Sequence, residues 1–182
     1  MTPGKGAKRS DPLDENALYE YAVKALGRRM RTTVELKRLM HAKVEPNETG
    51  ESKIAAVLTR LQEYGYINDA SFASTYTRLR QENEGFGKRR VQLDLSRKGI
   101  ARDLIASTLD AAYQRTSEEE LARRYLAKKR IGKPQNQKET ARILRRLTAA
   151  GFSISAISTI LKNWEVELTD EALEAIEDGP AP

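Results

Sequence analysis

Lys88–Leu109 reads KRRVQLDLSRKGIARDLIASTL, which is a basic amphipathic helix, a glycine turn and a second apolar helix. The plan recurs. Setting Ile100 against Phe152 pairs Gly99 with Gly151, Leu95 with Leu147, Val91 with Ile143, Ile105 with Ile157 and Leu109 with Leu161 in one register. Setting Ile100 against Val44 pairs Leu95 with Leu39, and Ile54, Val57 and Leu58 then supply the second helix after a longer loop. Recurrence at roughly 50-residue spacing marks an array of small helical units, each too small to bury its apolar face without neighbours.

The fold expected is all-α: three tandem three-helix repeats forming an elongated, curved helical array. Every periodic segment has the helical spacing and none alternates as a strand does. The boundaries expected are a disordered basic arm at 1–12, repeats at 13–67, 68–116 and 117–164, and an acidic tail at 165–182.

In the first repeat a helix over Leu13–Leu26 carries Leu18, Ala22, Ala25 and Leu26 on one face. Thr32 with Glu35 makes a capping box, which places Arg28, Arg29 and Arg31 just outside a helix N-terminus able to hold an anion. Val44–Ser52 reads as a polar loop, followed by a buried stripe of Ile54, Val57, Leu58 and Leu61 that Gly65 ends. Asn68 or Asp69 caps the next helix, whose apolar face of Phe72, Ala73, Tyr76 and Leu79 is echoed by Leu121, Ala122, Tyr125 and Leu126. Ser117 with Glu120 is a second capping box, Ser153 a further cap, and Trp164 closes the last stripe. Thr169–Ile176 reads as one short acidic helix.

Composition removes several classes of function. No stretch approaches the roughly 20 apolar residues that span a bilayer, and the N-terminus lacks the apolar core of a signal peptide, so a cytoplasmic protein without membrane contact is expected. There is no Cys and one His, His41, which leaves almost no material for a thiolate or multi-histidine metal site or a Ser-His-Asp arrangement. Gly85-Phe86-Gly87-Lys88 lacks the P-loop spacing and reads as a flexible linker whose cations open a basic helix. No cofactor, metal or catalytic residue is assigned, and an enzyme is the least expected class.

The net charge is +6, and the charges are sorted along the chain. From Leu121 to Gly151 ten basic residues face one acid, Glu139, whereas after Trp164 there are acids and no Lys or Arg. A basic block implies a polyanionic partner, nucleic acid first. The candidate binding residues are Arg29 and Arg31; Lys88, Arg89, Arg90, Arg97 and Lys98; and Arg123, Arg124, Lys128, Lys129, Arg130, Arg142, Arg145 and Arg146. Arg predominates, which suits bidentate phosphate or carboxylate contacts. The few aromatic residues fall on helix faces, so base stacking is not indicated and backbone reading without sequence preference is expected. The tail is expected either to compete with polyanions for the basic third repeat or to stay solvated.

At RMRTTVEL (29–36) with Leu39, LQEYGYINDASFA (61–73), RKGI (97–100) and GFS (151–153) after Arg145 and Arg146, the chain resembles the RecX regulatory proteins, bacterial modulators of the RecA recombinase. The resemblance covers about Leu18 to Leu161. It implies three tandem three-helix repeats, the count reached above from the residues. It also implies a non-enzymatic protein that lodges in the groove of the RecA–single-stranded DNA filament and represses ATP hydrolysis, strand exchange and coprotease activity; a monomer is expected. Single-stranded DNA, with duplex DNA admitted, is then bound without strong sequence preference. The long loop around Pro46–Ser52 and the acidic tail depart from the family pattern. The rival readings are a helical DNA-binding transcription regulator, since a three-helix unit with a glycine turn can be a helix-turn-helix, and a protein–protein scaffold.

Overall fold

The structure, a computed structural model, describes residues 11–166. All but the last two residues of the basic arm, and the tail beyond Val166 with its expected acidic helix, lie outside the described residues. Among the described residues there are nine α-helices, one π-helical segment and no strand. Helices α1 (Glu15–Arg28), α2 (Thr33–His41) and α3 (Glu48–Glu63) make the first group; α4 (Asp69–Leu79), prolonged by a π-helical turn over Arg80–Glu84, α5 (Lys88–Arg97) and α6 (Arg102–Tyr113) the second. The third holds α7 (Glu118–Lys128), α8 (Gln137–Ala149) and α9 (Ile154–Asn163). The architecture is all-α, in three tandem three-helix repeats. No helix among the described residues is long and apolar enough to cross a membrane. The chain divides into two compact units, one ending at Phe72 and one beginning at Ala73.

In the first unit the core is built from Leu18, Leu36, Met40, Ile54 and Leu61, all fully buried. The capping box of α2 is present, with the Thr32 hydroxyl accepting from Glu35 N and the Glu35 carboxylate from Thr32 N. The loop expected over Val44–Ser52 ends early, because Asn47 accepts from Gly50 N at 2.9 Å and starts α3 at Glu48. Gly50 is needed inside that helix, since a Cβ there would collide with the Glu45 carbonyl. Lys53 pairs with Glu45 at 3.0 Å. A backbone hydrogen bond and then Lys53 hold the Glu45 carboxyl below its ordinary range. Of the first-copy residues, Leu39 is only partly buried and Met40 takes the core position.

The α4 stripe also differs from expectation. Phe72 and Ala73 are buried, but Leu79 is 42% exposed and Thr77 is fully buried. At 3.6 residues per turn Thr77 lies above Ala73, whereas Leu79 is rotated about 200° beyond Thr77. The spacing from Phe72 through Tyr76 runs along the edge of the buried stripe.

In the second unit the two glycine turns of the aligned register share one bonding pattern. Gly99 (φ 79°) and Gly151 (φ 90°) take the left-handed conformation. The next residues, Ile100 and Phe152, return N–H bonds to Leu95 O (3.2 Å) and Leu147 O (3.1 Å) and are buried. The stripes Val91, Leu95, Ile105 and Leu109, and Ile143, Leu147, Ile157 and Leu161, are buried as paired.

The Gly85–Lys88 segment is not a free linker. Gly87 N donates to Ala150 O at 2.9 Å, and a Cβ on Gly87 would strike the Gly151 carbonyl. Phe86 packs on the third repeat's core, and the Tyr113 hydroxyl donates to Phe86 O at 2.9 Å. Two missing side chains thus let the second repeat dock by backbone against the turn of the third.

This joint can be tested in two ways. Gly151→Ala adds a left-handed alanine and a clash with the Arg90 backbone, so it should destabilise the fold by about 2 kcal/mol or more; an unchanged midpoint in urea denaturation contradicts the joint. Burial raises the Tyr113 pKa to about 12 from 10.0. The fold therefore favours the neutral phenol, a contribution complete below pH 10 and lost as pH rises through 12. Absorbance titration should show a late-ionising tyrosine that Tyr113→Phe removes.

Candidate nucleic-acid interface

Helix α8 buries Thr140, Ile143, Leu144 and Leu147, at spacings of one and three residues that make one stripe. Arg142, Arg145 and Arg146 are left on its exposed face with no ion pair among the described residues. Arg142 and Arg146, one turn apart, face a groove of about 280 Å³ whose other cations are Lys129, Arg130 and Lys133. Ile131 and Ile143 supply its apolar wall. Its single acid, Glu139, accepts from Gln135 N at 2.8 Å, so it is engaged at the start of α8. The concavity gathers five cations from the α7–α8 loop and α8. Lys133 belongs to this set too; the sequence counts it among the ten basic residues of the third repeat but not among the candidate binding residues.

Arg130 holds the groove's most strained backbone. Its φ is 54°, and Ile131 N bonds back to Leu126 O at 2.9 Å, the same turn that glycine makes at Gly99 and Gly151. For a side-chain-bearing residue the left-handed conformation costs about 1–2 kcal/mol. Glycine would avoid that cost, so stability alone does not account for arginine here.

The other cations of the third repeat are differently occupied. Arg124 pairs with Glu120. The Ser117 hydroxyl accepts from Glu120 N at 3.1 Å, so one half of the expected capping box is seen. Lys128 donates to Glu82 O at 3.1 Å, Lys129 lies 3.7 Å from Glu84, and Arg123 is exposed with no ion pair among the described residues. Lys133 lies 3.7 Å from Glu165, the first acid of the tail segment.

In the second repeat the three cations opening α5 diverge. Lys88 pairs with Asp110 at 2.6 Å, and Arg90 lies 3.3 Å from Asp94 with its guanidinium over Phe86. Arg89 is exposed and joins Lys88 and Tyr113 on the wall of a wider cavity of about 730 Å³ between the second and third repeats. Ser153, on the same wall, caps α9 and donates its backbone N–H to Glu118 at 2.7 Å. Arg97 is exposed, and the Lys98 ammonium lies 5.4 Å from the Tyr76 ring centre.

In the first repeat the helix start at which the sequence expects an anion site has several of its donors engaged. Thr33 N donates to Asp69 Oδ1 at 2.9 Å, Thr32 N to Glu35, and Glu35 N to Thr32. Those three donors are taken by the protein's own oxygens, Thr32 is fully buried, and Arg31 turns to the Ala25 carbonyl at 3.3 Å. Arg29 remains exposed. His41 lies 3.1 Å from Glu51 on the surface. Among the described residues no group of three or more His, Asp or Glu is placed to hold a metal ion. The reading that aromatics stay on helix faces fails at Tyr64 and Tyr66, which are 65% and 53% exposed.

Residues 68–109 match the family model described as RecX, second three-helix domain. A Regulatory protein RecX from Mycolicibacterium smegmatis is 33% identical over 172 residues, covering 91% of this chain and 88% of the relative. Another, from Mycolicibacterium vanbaalenii, is 33% identical over 128 residues, 69% of this chain and 67% of the relative. The crystal structure of RecX from Lactobacillus salivarius aligns with a TM-score of 0.64 at 25% identity, over 84% of this chain and 97% of that one. Four helical motifs in order, three repeats and a relative matched along nearly its whole length lead to one conclusion: the chain belongs to the RecX family of regulatory proteins.

Proposed function

We propose that this protein regulates the RecA recombinase by binding the RecA–single-stranded DNA filament and repressing its ATP hydrolysis, strand exchange and coprotease activity. The observation that carries the reading is the groove of the third repeat, where five cations line the wall with one acid that is already hydrogen-bonded, and where Arg130, Arg142 and Arg146 have no ion pair among the described residues. Polyphosphate backbones, and acidic protein surfaces, fit such a groove through charge and arginine geometry with no base-edge reading. Arg89, Arg97, Arg123 and Arg145, exposed and without ion pairs among the described residues, extend the cationic surface over the second and third repeats. Contacts that are weak singly then add through effective concentration along a repetitive filament. The protein acts in the cytoplasm, as a monomer, on a partner that needs no cofactor from it.

The test is RecA ATPase on single-stranded DNA with this protein titrated in, beside a variant carrying Lys133→Glu, Arg142→Glu and Arg146→Glu. The parent should inhibit. The variant should require at least about tenfold more protein while keeping its helix content, because Lys133 lies in a loop and exposed helix positions accept Glu as readily as Arg. Its binding to bare single strands should lose about 0.7 from the salt slope per contact removed. Undiminished inhibition by the variant removes the groove from the mechanism, and discrimination of one duplex sequence by about 4 kcal/mol or more would instead favour a transcription regulator.

Arg130→Gly separates binding from stability at the strained turn. It should raise stability by about 1 kcal/mol, since glycine takes the left-handed conformation freely, and yet weaken polyanion binding. A variant that is both less stable and equally tight would contradict the functional reading of Arg130.

A further inference from the structure

Tyr64 and Tyr66 flank Gly65 where α3 ends, in a turn that has a counterpart at the end of α9. Tyr66 N donates to Leu61 O at 2.8 Å, and Val166 N donates to Leu161 O at 3.0 Å, so Tyr64 and Tyr66 stand where Trp164 and Val166 stand in the third repeat. Trp164 and Val166 are partly buried against their repeat's core. Tyr64 and Tyr66 are 65% and 53% exposed, while the next residue, Ile67, is 4% exposed and fills the core instead. The turn therefore does not force the two rings into solvent; the sequence of the first repeat puts them there.

A cation accompanies them. The Arg60 guanidinium lies 4.0 Å from the Tyr19 ring centre and 5.9 Å from that of Tyr64. It has no ion pair among the described residues. Exposed aromatic rings, one of them beside an unneutralised guanidinium, fit a ligand that offers π faces and negative charge together. Unpaired nucleotides offer both, whereas duplex bases are already stacked on one another. Stacking on an aromatic side chain contributes about 1–3 kcal/mol per base and tolerates any sequence.

We propose that Tyr64 and Tyr66 form a stacking platform for the unpaired bases of single-stranded nucleic acid, with Arg60 beside it to meet the phosphate. This goes beyond the phosphate contacts of the third repeat: it reads the presence of bases, from the unit that ends at Phe72. It gives the protein a means of preferring single strands that a cationic groove lacks.

The test compares a fluorescently labelled thymidine oligonucleotide with an abasic strand of the same length, which keeps the phosphates and removes the bases. The full-length parent should bind the base-bearing strand about tenfold tighter. The Tyr64→Ala/Tyr66→Ala variant should lose that preference with its salt slope unchanged, and Tyr64→Phe/Tyr66→Phe should keep it. Both changes lie on the surface, and thermal melts followed by circular dichroism verify folding. Equal binding of the two strands by the parent overturns the proposal, as does an alanine variant that still discriminates between them. An alanine variant unchanged on DNA but unable to bind RecA in the absence of DNA overturns it too, in favour of a protein contact. The groove variant of the third repeat should weaken on both strands and keep their ratio, so failure of the filament reading leaves this result interpretable.

Discussion

The second unit depends on a backbone approach that only glycine permits. Gly87 donates to the Ala150 carbonyl, Gly151 lies against the Arg90 backbone, and neither residue has room for a Cβ. With the main chains this close, Phe86 reaches the third repeat's core and Tyr113 closes over the Phe86 carbonyl. Small helical repeats bury too little apolar surface to stand alone, and stability comes from neighbour interfaces. Here that interface is set by hydrogen bonding and glycine stereochemistry as much as by apolar area. It also fixes where α5 starts, and so where Lys88 and Arg89 sit on the wall of the inter-repeat cavity.

The fold was legible wherever the sequence repeats itself. The Gly99 and Gly151 registers, with the apolar residue that follows each, specify a helix end and the burial of the next side chain in a single signal. Leu79 and Leu39 fall short of the burial expected of them for a common reason: stripes read from spacing alone are uncertain by one or two positions at their edges, and Thr77 and Met40 take the buried places. The early start of α3 was hidden because Gly50 reads as a loop residue. Its role is set by the Glu45 carbonyl, a contact no local pattern reveals.

The candidate site was legible as charge and illegible as geometry. By sequence alone the candidate cations carry equal weight, but Lys88, Arg90, Arg124 and Lys129 have carboxylates nearby, and Arg31 and Lys128 bond to carbonyls. Surface ion pairs are individually weak, so these cations are not removed from a polyanion's reach, but a ligand must compete for them. The groove cations Arg130, Arg142 and Arg146 carry no such partner among the described residues. A concave arrangement with a non-glycine left-handed residue at its lip is a property of three-dimensional proximity, which helical periodicity along the chain does not encode.

The carboxylate that Asp69 lends to Thr33 has a consequence for how such a chain can be taken apart. The donor belongs to the start of α2 and the acceptor to the first turn of α4, 36 positions later. The first repeat therefore borrows a cap from the beginning of the second, whose Asn68 in turn accepts from Ser71 N to start that helix. Cutting the chain at the periodic border before Asn68 leaves an amide donor of α2 without its acceptor. Two repeats that look separable on paper overlap like shingles at this border: excising or duplicating the first requires carrying Asn68 and Asp69 along with it.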